Sequence, residues 1–233
     1  MFRFKHFIIK QERAAMKVCT DSCLFGSLIA SENIKNSLDI GCGTGLLSLM
    51  VAQKNLESQI TALEIDQNAV LDAAENIHES PFANQITLHH QTVQDFAKKS
   101  NKKFDLIFCN PPFYQNNLKS DKIDKNIAHH AETLTFNELA ECIDILLEEK
   151  GSAWILLPPF EMREFISIVE EKRLYVSKKF EVRHNENKPI LRVIVKLKRT
   201  KAILEEISLI NIYENNQYSR IFVELLKDYY LIF

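Results

Sequence analysis

Glycine is scarce in this chain: among 233 residues only Gly26, Gly41, Gly43, Gly45 and Gly151 occur. Cysteines are few and odd in number (Cys19, Cys23, Cys42, Cys109, Cys142), which excludes a full disulfide framework and reads as reduced, buried thiols of a cytoplasmic protein. Cys19 and Cys23 lack a second pair of ligands, so no metal is expected. No stretch approaches the ~20 apolar residues of a membrane span, and Met1 to Phe7 lacks the apolar run of a signal peptide. No membrane partner is therefore expected. Internal repeats and low-complexity linkers are also missing, so 1–233 reads as one domain of the larger sort.

The scarcity gives weight to where glycine does occur. Three of the five fall in Asp39-Ile40-Gly41-Cys42-Gly43-Thr44-Gly45, between a strand ending at Ile40 and a helix opening at Leu46. Glycine carries an entropic cost, so such clustering implies left-handed backbone or close approach to a ligand. Nineteen residues after Gly45, the strand Ile60-Thr61-Ala62-Leu63-Glu64 ends on a carboxylate, near the ~20-residue spacing of an acid that takes a ribose diol. A nicotinamide dinucleotide and S-adenosyl-L-methionine both fit that pairing. The single residue between Gly43 and Gly45, and the acid Asp39 ahead of the loop, suit a pyrophosphate poorly and a methionine ammonium well.

A second motif follows the apolar strand Phe104 to Cys109. Asn110-Pro111-Pro112-Phe113 ends it with one amide, backbone carbonyls and an aromatic ring at a strand's carboxyl edge, where open α/β sheets bind ligands. Those acceptors match an exocyclic amino group, and the ring matches a planar base.

Strands and helices alternate along the chain in the α/β manner. Helices are expected over Gln67–Ser80 with Asp66 as cap, Leu134–Glu149 closing at Gly151, Glu161–Lys172, and Ser219–Ile232 at the end. Strands are expected over Ile86–His89, Ser152–Leu157, Leu174–Val182, Ile190–Leu197 and Ile207–Tyr213, with a polar loop over Gln115–Ala131.

Net charge is only −2, but residues 172–201 carry eleven Lys or Arg against Glu181 and Glu186, or +9, leaving −11 for the rest. Such an imbalance points to a polyanion, a nucleic-acid backbone, with Arg183, Arg192 and Lys196 as the contacts chosen.

Over essentially its whole length the chain resembles the bacterial tRNA1(Val) (adenine-37-N6)-methyltransferase family, within the class I S-adenosylmethionine-dependent superfamily. The resemblance is carried by Phe4-Lys5-His6-Phe7, Arg13, Met16-Lys17-Val18-Cys19-Thr20-Asp21, Leu24 and Gly26. It continues in Asn185-Glu186, Pro189, Arg192-Val193, Tyr218-Ser219 and Tyr230-Leu231. It implies a Rossmann-like, seven-stranded, mostly parallel sheet with helices on both faces and an antiparallel C-terminal strand. It divides the chain into a family-specific segment (1–34), a cofactor-binding and catalytic core (35–160) and a C-terminal part (161–233).

It further implies N6-methylation of an adenosine in a tRNA anticodon loop. Asp39, Gly41, Gly43 and Gly45 would hold the donor's methionine end, and Glu64 its ribose. Asn110, Pro111, Pro112 and Phe113 would receive the flipped adenine. Asp21 either lines the donor pocket or merely caps a helix beginning near Ser22. Where the family places an acid for the donor's adenine, this chain has Thr92, with Asp95 three residues on; backbone is the third option for that contact. Two alternatives keep the same chemistry on DNA adenine or on a protein glutamine, and a third is a catalytically dead nucleic-acid-binding module. Nothing in the sequence names a protein partner.

Overall fold

A computed structural model describes residues 1–32, 34–111, 134–201 and 206–233. The strands are β1 (Phe2–Arg3), β2 (Ile8–Ile9), β3 (Asn36–Ile40), β4 (Gln59–Glu64), β5 (Ile86–His90), β6 (Phe104–Cys109), β7 (Leu147–Leu157), β8 (Tyr175–Arg183), β9 (Ile190–Lys198), β10 (Glu206–Asn211), β11 (Tyr213–Glu214) and β12 (Gln217–Tyr218). The helices are α1 (Thr20–Ile29), α2 (Leu46–Lys54), α3 (Gln67–His78), α4 (Val93–Lys99), α5 (Phe136–Leu146), α6 (Pro159–Glu171) and α7 (Arg220–Leu226).

Runs such as Leu106–Cys109 and Ala153–Leu157 are buried on both faces, the pattern of strands covered by helices on both sides. They form one sheet in the order β10-β8-β9-β7-β6-β3-β4-β5. β3 pairs in parallel with β4 and β6, β4 with β5, and β6 with β7, while β9 runs antiparallel to both β7 and β8. Helices α1, α2, α3 and α7 pack one face around Phe25, Met50 and Tyr229; α4, α5 and α6 pack the other around Ile143 and Phe165. Local chemistry sets the helix starts. Asp66 accepts from Ala69 N at 2.7 Å, Ser219 accepts from Phe222 N at 3.2 Å, Pro159 opens α6, and Thr135 with Glu138 forms a reciprocal capping box.

Three expectations need correction. The sheet has eight strands, not seven, because β10 adds in parallel to β8 at the edge. The helix expected to reach Glu149 ends at Leu146, and residues from Leu147 already belong to β7. Gly151 is no helix terminator: a Cβ there would lie 2.8 Å from Leu147 Cδ1 and 3.0 Å from the Phe104 carbonyl, where the β6–β7 register shifts. It marks a bulge under close backbone approach. The final helix stops at Leu226. Beyond it Lys5 N donates to the Tyr229 carbonyl, Tyr229 OH donates to the Met50 carbonyl, and Phe4 bridges Tyr230, so tertiary bonds replace helical ones.

Candidate active site

The glycine loop is built by the strand beside it. Gly41, Gly43 and Gly45 all have positive φ (70°, 56° and 81°), which L side chains rarely adopt. Gly41 N and Cys42 N both donate to the Leu63 carbonyl at 2.9 Å, and Gly43 N donates to Glu64 Oε2 at 2.8 Å. Glu64 Oε1 accepts from Ile65 N and Asp66 N at 2.7 and 2.8 Å. A carboxylate offers about four acceptor directions, so three are used in shaping the loop and one remains for a hydroxyl. A Cβ on Gly41 or Gly43 would meet nothing within 4 Å, so the loop faces open space.

Asp39 lies beneath this loop, fully buried. Its Oδ2 accepts from Ser48 Oγ at 2.7 Å, while its Oδ1 is buried without a hydrogen-bond partner. Burial pushes the carboxyl up to about 7, with the Ser48 hydroxyl opposing and the Glu64 charge adding to the rise. A buried carboxylate oxygen without a hydrogen-bond partner beside an open glycine loop fits a cationic group such as an ammonium. Ser48, one turn into α2, was not anticipated; its signal was a hydroxyl three residues after Gly45, on the helix that the loop opens.

Asn110 follows β6 at the same carboxyl edge. Its Nδ2 donates to Ser22 Oγ at 3.3 Å, and Ser22 Oγ lies 2.9 Å from Cys19 Sγ. Among the described residues nothing donates to Asn110 Oδ1, so the contact with Ser22 fixes the amide's donor end and leaves its acceptor for a ligand. Pro111 is buried beside it. Pro112, Phe113 and the loop 115–131 lie outside the described residues.

Asp21, next to Ser22 in the first turn of α1, sits 2.8 Å from Arg192 Nε through its Oδ2. Two residues expected in separate roles therefore meet, and Arg192 braces the turn that contacts Asn110. Thr92 caps α4, its Oγ1 accepting from Asp95 N at 3.0 Å. The segment before α1 is strapped over α3 by polar residues that sequence reasoning missed. Asp72 accepts from Arg13 N, Ala14 N and Arg13 Nη1 at 2.8–2.9 Å. Asn76 bonds both Lys10 N and the Lys10 carbonyl, and also the Thr44 carbonyl of the glycine loop at 2.9 Å. Their signal was an i, i+4 polar pair on a helix face that turns out to be buried.

Five of the eleven cations of the basic segment are engaged in ion pairs within the chain. Lys178 pairs with Glu206, Lys179 with Glu181, Arg192 with Asp21, Lys196 with Glu32, and Arg199 with Asp144 and Glu149. Most of those acids lie elsewhere in the chain, so the linear count of +9 overstates the charge at the surface. Lys196 in particular is buried, holding both Glu32 oxygens at 2.6 and 2.7 Å with its ammonium over the Trp154 ring. It is a structural ion pair and leaves the set of nucleic-acid contacts. Arg183 Nε donates to Asn211 Oδ1 at 2.7 Å at the end of β8.

Residues 15–138 match the family model described as methyltransferase small domain. The chain is 42% identical over 237 residues to the tRNA1(Val) (adenine(37)-N6)-methyltransferase of Dyadobacter fermentans, covering 100% of this chain and 98% of that one. The chain belongs to this family. Proteins of the same name from Flavobacterium psychrophilum (34% identical, 99% of each chain) and Aliivibrio salmonicida (36%, covering 99% and 97%) show the same end-to-end match. The sheet agrees at the level of fold with a predicted O-methyltransferase from Agrobacterium tumefaciens (TM-score 0.69, 17% identical, covering 89% and 96%). It also agrees with a methyltransferase from Pyrococcus furiosus (TM-score 0.59, 17% identical, covering 82% and 88%). The fold is thus that of class I methyltransferases, and the chain is a methyltransferase. Among the described residues no cluster of three or more His, Cys, Asp or Glu could hold a metal, and no helix is long and apolar enough to cross a membrane.

Proposed function

We propose that this chain transfers a methyl group to N6 of adenosine 37 in the anticodon loop of tRNA1(Val), in the bacterial cytoplasm, with S-adenosyl-L-methionine as donor. The observation that carries the donor is Asp39 Oδ1, buried and without a hydrogen-bond partner under an open glycine loop. Asp39 pairs with the methionine ammonium, the loop gives its backbone to the methionine end, and Glu64 accepts a ribose hydroxyl through its remaining direction. In this reading the donor's adenine meets the start of α4, through Thr92, Asp95 or backbone, and Asp21, held by Arg192, lines the donor pocket. When bound, the donor supplies an electrophilic sulfonium methyl group.

The protein's part is positioning and electrostatics. Asn110 Oδ1 and the Pro111 carbonyl accept hydrogen bonds from the two N6–H groups, which draws the amino lone pair out of conjugation and aims it at the methyl carbon. The N–C bond forms as the S–C bond breaks, and the surplus N6 proton then leaves to solvent. The resemblance assigns Pro112 to the same motif and gives Phe113 the stacking of the base. Adenine 37 reaches this point by leaving its stack, at a cost of a few kcal/mol, less in an unpaired loop. The relatives' name favours adenosine in tRNA over DNA adenine or glutamine. Asn110→Ala is expected to lower methyl transfer by about 10²–10³-fold, the scale of losing one preorganised polar group. Donor affinity, measured by calorimetry, should stay within about twofold; equal loss of both would make Asn110 structural.

A further inference from the structure

The segments at 184–189 and 213–218 have no role in the chemistry above, yet they meet in space. β8 and β10 both point toward the sheet edge that carries Asn110, because β9 is antiparallel to β7 and β8, and β10 is parallel to β8. Beyond that edge Ile212 N donates to the Arg183 carbonyl at 3.0 Å and Tyr213 N to the His184 carbonyl at 2.9 Å, so the β11–β12 hairpin is tied to the end of β8. Its two-residue turn, Asn215-Asn216, has φ of 49° and 61°, the left-handed pair of a tight hairpin. That turn sets Tyr213 opposite Tyr218.

The result is a column of four rings. Phe222, buried, stacks on Tyr218 at 4.8 Å and 9°; Tyr218 stacks on Tyr213 at 4.8 Å and 23°; Tyr213 lies 4.8 Å from the His184 ring. The column starts in the core and ends in solvent at His184. Its inner end is joined to the active site: Phe222 packs edge-on against Tyr230, whose hydroxyl contacts Cys23 of α1, the helix whose Ser22 holds Asn110.

Resting on the tRNA reading above, we propose that the exposed His184 ring is a stacking platform for an unpaired nucleotide of the same loop, next to the one flipped toward Asn110. A ring anchored through three others presents a rigid, planar face, and base stacking on such faces tolerates any base. Extruding adenine 37 breaks its stack, so a neighbouring base gains by finding a new one. With five of the eleven cations of the basic segment engaged in ion pairs, stacking adds grip beyond what charge supplies.

The test uses the full chain and a tRNA1(Val) transcript. His184→Ala, at an exposed position, should raise KM for tRNA about tenfold, with kcat and donor affinity unchanged and with the loss independent of salt. His184→Phe should restore the wild-type value. A wild-type KM in His184→Ala, with wild-type melting, overturns the platform and leaves the exposed end of the column to a protein partner. A loss that Phe does not restore and that shrinks at high salt also overturns it, since it marks His184 as a phosphate contact. If the wild-type chain transfers methyl to tRNA while His184→Ala is unaltered, only the platform fails. If the wild type transfers none, the tRNA reading fails and the platform with it.

Discussion

At the scale of single residues, Asp39 couples folding to donor binding. Its carboxyl titrates near 7 in the folded chain and near 3.8 unfolded. The folded state therefore binds the extra proton between those values, and the carboxylate's burial removes stability as pH rises from about 4 to 7. Asp39→Asn should gain up to roughly 4 kcal/mol above pH 7, read by denaturant melts, while losing donor binding. In the wild type, donor affinity should be about tenfold weaker at pH 6 than at pH 8, because only the ionised form pairs with an ammonium. A donor affinity flat across that range would remove Asp39 from the site. The placing of Asp39, Glu64 and Asn110 at one sheet edge was legible because each lies within a residue of a strand's carboxyl end. The sequence hid Ser22 and Ser48, whose roles depend on a helix face meeting a strand end.

Elements decide what charge means here. Eleven cations in thirty residues read as a surface for RNA, yet β-strand register and helix packing bring five acids from elsewhere in the chain to meet four of them. Position in sequence carries no information about such partners. Lys196→Ala should therefore cost about 3 kcal/mol by leaving Glu32 unpaired, and leave KM for tRNA unchanged. A raised KM without loss of stability would return Lys196 to the RNA surface. The strap formed by residues 10–14 makes a parallel prediction. Asp72→Ala strands two backbone N–H groups and leaves Arg13 only its Glu75 partner, so about 3 kcal/mol of stability should be lost, with donor affinity reduced as the segment lifts from α3. Unaltered donor affinity in that variant would show that the strap does not border the donor site. Helix ends were the least legible elements: Gly151 looked like a terminator, and only the close approach of Phe104 and Leu147 shows it to be a strand bulge.

For the whole molecule, the parallel centre of the sheet could be foreseen because fully apolar runs alternate with capped helices. The strand at Ile207 was expected too, but not its place as an eighth strand beside β8, since Ile207 and Leu209 are exposed on the sheet's edge and only Ile210 is buried. The architecture gathers Asp39, Glu64, Asn110, the strap and the ring column at one edge of the sheet, while Lys196 and the β6–β7 bulge serve only the scaffold. The most direct measurement is transfer of labelled methyl from S-adenosyl-L-methionine to tRNA1(Val) transcripts, followed by nucleoside analysis. Label in N6-methyladenosine, lost when adenine 37 is replaced by guanine, is the predicted result. Label in another nucleoside, or unchanged label after that replacement, would contradict the account.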